Sequence, residues 1–344
     1  MGVQITDLLN RSELDITTLQ GKVIAVDASL FLYQFLTSIR GRDGSLLTDS
    51  RGNVTSHLVG LFSRTTKLMQ QGLKLTYVFD GKAPMLKQKE RDKRKEAKIE
   101  AEKQYKEAQE KEDYAEMKKY ASRTTRLTTD MVSEAKKLLI FLGIPIVEAP
   151  SEGEAQAAYL VKKNDAFAVA SQDADSLLFG TSRLVRNLSI LGKRKKAQKL
   201  SHEYIKPEMI TLSDTLNALA ITHNQLIALG MLVGTDFNPG GIKGIGPKNG
   251  LKLVKQYSAD FDALFKEVNW DAYFSYSWTE VYDLIKNMPV TDAYSLTWKK
   301  PDEEKILKFL VDEHEFSEER VKSGIQQLIE EKEKQKQKGL GDFF

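Results

Sequence analysis

Short apolar runs rich in β-branched and aromatic residues alternate along this chain with longer helical patterns. This alternation constrains the fold most strongly, because it is typical of a parallel sheet whose strands are connected by crossover helices. The runs are continuously apolar, which suits strands buried on both faces. They span 23–26, 75–79, 144–147, 166–170 and, more weakly, 184–188. The predicted fold is therefore α/β, with a central, mostly parallel twisted sheet flanked by helices.

Acidic residues follow the strong apolar runs. Ligands of open α/β sheets collect outside the carboxyl ends of the strands, so these acids are expected to converge on one crevice, joined by a last acid from the later helical region. Taken singly, an Asp before a helix is equally explained as an N-cap, and Ser151 with Glu154 matches a capping box. The seven acids are Asp27, Asp80, Glu152, Glu154, Asp173, Asp175 and Asp236.

The chemistry of such a crevice is limited by the composition of the chain. There is no Cys, and the four His residues are scattered, so a metal would have to bind to oxygen. Clustered carboxylates stay ionised only beside cations, which indicates Mg²⁺ or Mn²⁺, and two ions suit phosphodiester hydrolysis. The carboxylates alone leave both a nuclease and a phosphatase open.

Other function classes are limited by charge and hydropathy. The net charge of +3 requires that any electrostatic argument rest on local clusters. The longest apolar stretch, 138–147, is shorter than the ~20 residues of a membrane span, so no membrane association is predicted. The absence of Cys suits an intracellular protein. Residues 1–6 match a loose N-myristoylation pattern, but a single acyl chain without a polybasic segment anchors weakly.

Several motifs occur in a fixed order along the whole chain. They are Val26-Asp27-Ala28-Ser29, Val78-Phe79-Asp80-Gly81-Lys82, Ala149-Pro150-Ser151-Glu152-Gly153-Glu154-Ala155, Asp173-Ala174-Asp175-Ser176-Leu177, Gly234-Thr235-Asp236-Phe237 and Gly244-Ile245-Gly246-Pro247-Lys248. Together they resemble the flap structure-specific endonucleases of the 5′-nuclease superfamily over 1–344. The resemblance implies a 5′ flap endonuclease with 5′→3′ exonuclease activity, which acts on branched DNA in Okazaki fragment processing and repair.

The resemblance also assigns roles within the acidic crevice. It implies that all seven acids bind two Mg²⁺ ions, for which Mn²⁺ can substitute, directly or through water. It places the free α-amine of Gly2 near the site, a role that acylation would destroy. Gly153 stands where the family often has Ala, a change expected to matter little. The acids with direct catalytic roles are Asp27, Asp80, Glu152 and Asp175.

A charged region from Lys87 to about Arg126 has helix formers, no Pro or Gly, and too few apolar residues for a core stripe. A solvated helical insertion explains it equally well. The resemblance makes residues 82–130 a helical gateway, or arch, for a 5′ single strand. Lys87 and Arg94 lie seven residues apart, so both project from one helix face, about 10 Å apart along the axis. In the family, the matching pair contacts the scissile phosphate.

Further DNA contacts are implied by the resemblance. Tyr33 would stack on a base, which is worth ~1–3 kcal/mol, although core packing also explains it. Gly244, Gly246 and Lys248 would hold duplex backbone, with a K⁺ ion, in a helix–two-turn–helix near 225–258. Arg123 and Arg126 would steer the flap phosphates. Four more residues stand at family positions that contact the template or a one-nucleotide 3′ flap: Arg40, Thr55, Arg64 and Arg320. Ordinary charged surface residues would explain them as well.

The C-terminal residues differ from the rest of the chain in composition, because 330–338 consist only of Glu, Lys and Gln. Residues 331–344 are predicted to be a flexible tail. Its end resembles the box by which replication proteins dock on a ring-shaped sliding clamp, and the matching residues are Gln337, Leu340, Phe343 and Phe344. The expected protein is a monomer that docks on the clamp, and without a further basic tail it resembles the archaeal branch.

The remaining chain is predicted to be one nuclease domain, 1–330. It comprises an N-terminal part (1–100), the gateway, an internal part (131–258) and a C-terminal helical part (259–330). Two other functions remain: a non-catalytic junction binder and a ribonuclease of related fold. The complete set of acids opposes the first, and the gateway, the Gly-rich turn and the clamp box oppose the second.

Overall fold

The computed structural model describes residues 2–41, 44–110, 116, 120, 124–190, 192–195 and 202–341, with side chains left out in parts of the gateway, at 192–195, at 202–204 and beyond residue 330. Its main sheet has the strand order β1-β9-β6-β5-β2-β3-β4. Strands β2, β3, β4, β5 and β6 pair in parallel, whereas β9 runs antiparallel to both β6 and β1. The strands are β1 (Ser12–Glu13), β2 (Val23–Asp27), β3 (Lys74–Phe79), β4 (Ile146–Glu148), β5 (Ala168–Ala170), β6 (Arg183–Arg186), β7 (Gly192–Lys195), β8 (His202–Ile205) and β9 (Glu208–Thr211).

The predicted mostly parallel α/β sheet is confirmed, and each of the five apolar runs contains a parallel strand. The sequence did not predict the edge strand β1, its antiparallel neighbour β9 or the separate β7–β8 hairpin. These strands are two to four residues long. Because they carry no continuous apolar run, their pairing depends on the sheet edge rather than on local pattern.

The helices of the described part cover the sheet and continue beyond it. They are α1 (Ala28–Ser38), α2 (Ser56–Gln70), α3 (Gln88–Glu110), α4 (Thr129–Phe141), α5 (Gly153–Lys162), α6 (Asp175–Leu178), α7 (Leu212–Leu219), α8 (His223–Val233), α9 (Pro247–Tyr257), α10 (Phe261–Glu267), α11 (Trp278–Lys286), α12 (Glu303–Leu307) and α13 (Glu318–Gly341). A π-helical turn, Lys308–Glu313, leads toward α13.

The core lies on both faces of the sheet. In β2, Ala25 contributes to one apolar cluster while Ile24 and Val26 contribute to the other, and all three are fully buried. The alternation repeats in β3, where Val78 faces the first cluster and Tyr77 the second. Helices on both sides bury both faces, which explains why the strands read as continuous apolar runs.

Two helices form the predicted helix–two-turn–helix. Helix α8 is buried from Gln225 to Leu232, and α9 packs on it through Gly250, where an added Cβ would lie 2.7 Å from Leu229 Cδ1. No single helix of the described part is long and apolar enough to cross a membrane. One pair, α7 with α8, meets the criterion jointly by length and composition, but the two are bent by 80°.

The gateway and the tail differ in how far the structure describes them. Helix α3 forms the first arm of the predicted gateway, and much of 111–123 lies outside the described residues. Helix α13 continues to Gly341 through most of the predicted tail, where Glu, Lys and Gln favour helix, but only its backbone is described there. The flexibility of the tail stays a prediction. Phe343 and Phe344 lie outside the described residues.

Candidate active site

The parallel strands deliver most of the acids to one edge of the sheet. Asp27 is the last residue of β2, and Asp80 directly follows β3. Asp173 and Asp175 follow β5, while Glu152 and Glu154 lie at the start of α5, after β4. Because all four strands point the same way, these residues share the carboxyl-end edge of the sheet. Asp236 reaches the same place from the turn after α8.

Mutual repulsion shows that the acids have converged. The charges of Asp80 and Asp173 both act on Asp27, and those of Asp175, Asp27 and Asp173 act on Glu154. Asp236 acts on both Asp175 and Glu152. Each of the seven acids thus lies within electrostatic range of at least two others, as the sequence analysis expected.

Asp27 is both a helix cap and a member of the crevice. Its Oδ1 accepts a hydrogen bond from Leu30 N at 3.0 Å, which makes it the N-cap of α1. Burial, followed by the charge of Asp80, raises the pKa of Asp27 to about 7. The cap interpretation is therefore correct for this residue, yet it does not compete with a role in the crevice, because the carboxylate also faces the other acids.

The N-terminal segment lies against Asp175. Val3 N donates to Asp175 Oδ1 at 2.5 Å, and a Cβ on Gly2 would lie 2.7 Å from the same oxygen, so only glycine fits there without a shift. Burial and the charge of Asp236 raise the pKa of Asp175 to about 7. The structure thus brings Gly2 to the crevice, where the resemblance had located it.

The start of α5 differs from the sequence-based expectation. Glu152 occupies the N-cap position and makes no side-chain cap hydrogen bond, so the capping box of Ser151 and Glu154 is wrong. Instead, Gly153 N donates to Asp80 Oδ1 at 2.6 Å, and a Cβ on Gly153 would lie 2.9 Å from that oxygen. An alanine methyl group at this position would require only a small shift of the Asp80 carboxylate, so the expectation that the change from Ala to Gly matters little stays a prediction.

Lys87 reaches into the crevice from the turn that precedes α3. Its Nζ donates to Glu152 Oε2 and lies 3.1 Å from Asp236 Oδ2. Burial alone would lower the pKa of this ammonium, but the charges of Glu152 and Asp236 raise it well above its usual value. Burial also raises the pKa of Glu152, and Lys87 only partly offsets this. Arg94 lies in α3, and its side chain is outside the described part.

The donor set of the crevice fits hard divalent cations. It consists of carboxylates whose pKa values are raised first by burial and then by the charges of neighbouring acids, and a bound cation would offset both effects. Among the described residues, no three acidic or histidine side chains already have their ligand atoms gathered around a single point. Hydrogen bonds to Leu30 N, Val3 N and Gly153 N and the ion pairs of Lys87 hold them apart.

Serine hydroxyls that the sequence analysis did not single out also orient the acids. Ser29 Oγ donates to Asp80 Oδ2 at 2.5 Å, and Ser171 Oγ donates to Glu154 Oε1 at 3.0 Å. Asp173 N in turn donates to Ser171 Oγ at 3.2 Å. In the sequence, each serine lies two residues from an acid, Ser29 from Asp27 and Ser171 from Asp173. This spacing does not predict which carboxylate a serine hydroxyl will contact.

At the base of the gateway, Tyr33 is half-buried on α1, and Lys98 Nζ from α3 lies 5.2 Å from the centre of its ring. Arg126 forms an exposed ion pair with Glu102 at 3.0 Å. Arg123 lies outside the described residues. The ring of Tyr33 is therefore in contact with the gateway rather than enclosed in the core.

The Gly-rich turn lies next to the crevice. Gly244 has a positive φ of 87°, and a Cβ at either Gly244 or Gly246 would meet no other atom within 4 Å. Gly246 is the N-cap of α9, and Lys248 is exposed on its first turn. Pro247 and Asp173 line the same cavity of about 450 Å³. The turn thus presents bare backbone N–H groups close to the acids.

A second cavity, of about 1000 Å³, lies between the loop before α2 and the start of α13. Thr55 and Arg320, predicted to contact DNA, both line it. Arg64 is half-buried on α2. Arg40 is held within the protein, because its guanidinium donates to Gly44 O at 2.8 Å and to Thr125 Oγ1. Only part of the predicted group of contacts therefore shares one surface.

Comparison with known proteins agrees with this geometry. The XPG N-terminal domain matches residues 1–101, and the XPG I-region matches residues 143–236. The flap endonuclease 1 of Pyrococcus abyssi is 54% identical over 345 residues, covering 100% of this chain and 98% of the relative. That of Thermofilum pendens is 51% identical over 330 residues, covering 95% of this chain and 94% of the relative.

Solved structures give the same result. Flap endonuclease-1 from Methanococcus jannaschii has a TM-score of 0.75 at 44% identity, covering 96% of this chain and 98% of that structure. The catalytic core of Rad2 in complex with DNA substrate has a TM-score of 0.67 at 25% identity, covering 94% of this chain and 97% of that structure.

The fold and the acidic crevice define an XPG-type nuclease, a hydrolase of phosphodiester bonds. Within this class, the chain belongs to the flap endonuclease 1 family, and its similar relatives are archaeal. It is a structure-specific 5′ flap endonuclease of DNA replication and repair, and nucleases of this family depend on divalent metal ions and bind branched DNA.

Proposed function

We propose that the seven acids hold two Mg²⁺ ions at the junction between a 5′ flap and its duplex, where Mn²⁺ can substitute. When bound, the ions would activate the attacking water and stabilise charge on the attacking and leaving oxygens. The observation that carries this proposal is the convergence of seven carboxylates, with the pKa values of Asp27 and Asp175 raised to about 7. The intact crevice disfavours a non-catalytic junction binder.

Lys87 and Arg94 would bind the scissile phosphate. Lys87 is already beside Glu152 and Asp236, at the entrance to the gateway helix that carries Arg94. Its raised pKa keeps the ammonium charged at any working pH, so it can stabilise negative charge that develops on the phosphate. Tyr33 would stack on a neighbouring base at the foot of the gateway, after Lys98 leaves its ring.

The duplex would be held through its backbone. Gly244, Gly246 and Lys248 offer exposed N–H groups and a positive charge to phosphates, and a K⁺ ion would assist at the turn. Thr55 and Arg320 would receive the template or a one-nucleotide 3′ flap in the larger cavity, and Arg40 and Arg64 would contact the DNA outside that cavity. Such contacts recognise structure rather than base sequence. Substrates of this kind are found inside the cell, where this enzyme would work.

Bound Mg²⁺ should stabilise the protein more at high pH than at low pH. Asp27 and Asp175 have folded-state pKa values of about 7, above their unfolded value of about 3.9. Their contribution to stability is fully present below the unfolded pKa and is lost as pH rises through 7. We expect Mg²⁺ to raise Tm several degrees more at pH 8.5 than at pH 5.5, measured against a chelator.

The control for this experiment is K⁺ at matched ionic strength, which should not reproduce the difference. Titration with Mn²⁺, followed by electron paramagnetic resonance at pH 8, should reach two bound ions per chain. An equal effect of Mg²⁺ at both pH values, or no effect on Tm at all, would contradict the assignment of the acids to metal.

The C-terminal box would dock on the sliding clamp. Gln337, Leu340, Phe343 and Phe344 form a short segment that would plug an apolar pocket of the clamp, while the nuclease itself remains monomeric. Removing residues 337–344 should abolish stimulation of cleavage by the clamp and leave clamp-free cleavage within about twofold of the full chain. Rates with and without clamp are compared for both chains, and stimulation that survives the deletion refutes the box.

A further inference from the structure

A buried polar cluster outside the acidic crevice joins three parts of the chain. His57 at the start of α2 is fully buried, and its Nε2 lies 3.0 Å from Glu134 Oε2 on α4. The other carboxylate oxygen, Glu134 Oε1, lies 3.9 Å from Nε2 of His314, whose side chain is 8% exposed. The Nδ1 atoms of both imidazoles are buried and have no hydrogen-bond partner in the described part of the chain. Glu134 is therefore the group that links the two rings.

This cluster supports one wall of the larger cavity. His314 itself lines the cavity of about 1000 Å³, and so do the next two residues, Glu315 and Phe316, and then Arg320 on the first turn of α13. The segment turns sharply here, because Glu315 has a positive φ of 57°. His314 thus lies at a bend between the π-helical turn and α13, where the backbone is held by hydrogen bonds from Glu315 N to Val311 O at 3.0 Å and from Phe316 N to Leu310 O at 2.9 Å.

The opposite wall is tied to the same bend. Glu315 accepts hydrogen bonds from Ser50 N at 2.7 Å and from Ser50 Oγ, while Arg51 donates to the carbonyl of Glu313. These contacts join the bend to the loop before α2, but they are exposed to water. Exposed polar contacts contribute little to stability, whereas Glu134 is only 25% exposed and lies against the ring of His314, so it bears on the direction in which that ring points.

We propose that Glu134 is a positioning residue for substrate binding, which orients the imidazole of His314 on the cavity wall, beside Phe316 and Arg320, to receive the terminal nucleotide of a 3′ flap. The inference rests on the proposed use of this cavity for a 3′ flap. Packing alone does not require the cluster, since apolar residues of similar volume would fill the space without a charge to bury. The carboxylate of Glu134, in contrast, is fixed by its hydrogen bond with His57 and so presents its second oxygen to the ring of His314.

The test compares Glu134→Gln with the wild-type chain on two substrates, a 5′ flap with a one-nucleotide 3′ flap and the same 5′ flap without it. We expect KM for the first substrate to rise about tenfold, with kcat and the KM for the second substrate unchanged. Asp130→Asn, an exposed acid on the same helix, is the matched control. Glu134→Asp retains the charge and should recover part of the difference.

Each outcome has a definite meaning. Equal changes on both substrates indicate general loss of structure and overturn the proposal, as does an unchanged KM ratio. A wild-type chain that does not distinguish the substrates overturns the cavity assignment together with this role, whereas a wild-type preference that the variant keeps overturns only the role of Glu134. If Glu134→Gln fails to fold, His314→Asn breaks the link from the other side, and the same ratio decides.

Discussion

Replacing Asp27 with asparagine should lower the rate of 5′-flap cleavage by about a thousandfold, or ~4 kcal/mol of transition-state stabilisation, while the protein stays folded. Asparagine caps helices as well as aspartate does, so the hydrogen bond that Leu30 N donates to the side-chain oxygen of residue 27 is kept. What the substitution removes is the negative charge that repels Asp80 and Asp173. Loss of that repulsion should leave Tm unchanged or raise it.

The measurement is a single-turnover rate on 5′-flap DNA in saturating Mg²⁺, together with a thermal melt. The matched control is Asp302→Asn, because Asp302 caps α12 through Lys305 N at 3.1 Å and belongs to no acidic crevice. The control should cleave at the wild-type rate. If Asp27→Asn also cleaves within a few fold of wild type, Asp27 is only a cap, and the metal assignment fails for that residue.

Lys87→Gln should separate catalysis from metal binding. We expect kcat to fall by about a hundredfold, because a preorganised cation near the scissile phosphate is lost. We also expect the DNA-free variant to bind Mn²⁺ several times more tightly than the wild type. In the wild type, the ammonium of Lys87 pairs with Glu152 and Asp236 and so competes with the ion for these two carboxylates. An ammonium that already neutralises two ligands competes with the metal that needs them.

Calorimetric titration of Mn²⁺ without DNA measures the second effect, and flap cleavage measures the first. Lys137→Gln, an exposed residue of α4, removes the same charge elsewhere and should change neither. Weaker metal binding in Lys87→Gln would contradict the competition. A kcat close to wild type would remove Lys87 from the reaction while leaving the acids untouched.

Most of the acidic crevice was predictable because it depends on chain direction alone. Strands that read as continuous apolar runs must be buried on both faces, and parallel strands end at one edge, so Asp27, Asp80 and Asp173 had to meet. The order of motifs along the chain then identified the family. Neither inference needed the position of any side chain.

The local sequence pattern could not predict which neighbouring groups form hydrogen bonds with each other. Ser151 with Glu154 satisfied the pattern of a capping box, yet Gly153 N turns to Asp80 instead. The pairing depends on how closely two loops approach, and that distance is fixed by packing of the whole sheet. The short strands β1 and β9, at one side of the sheet, were missed for the same reason.

The chain by itself therefore determined the fold class, the family and the identity of the seven acids, because these follow from periodicity and from the order of motifs. Only the tertiary structure decided that Asp27 is cap and crevice member at once, that Lys87 pairs with Glu152 and Asp236, and that Glu134 joins His57 to His314. Those contacts link residues far apart in the chain, and their existence depends on distances of a few ångströms that no local pattern encodes.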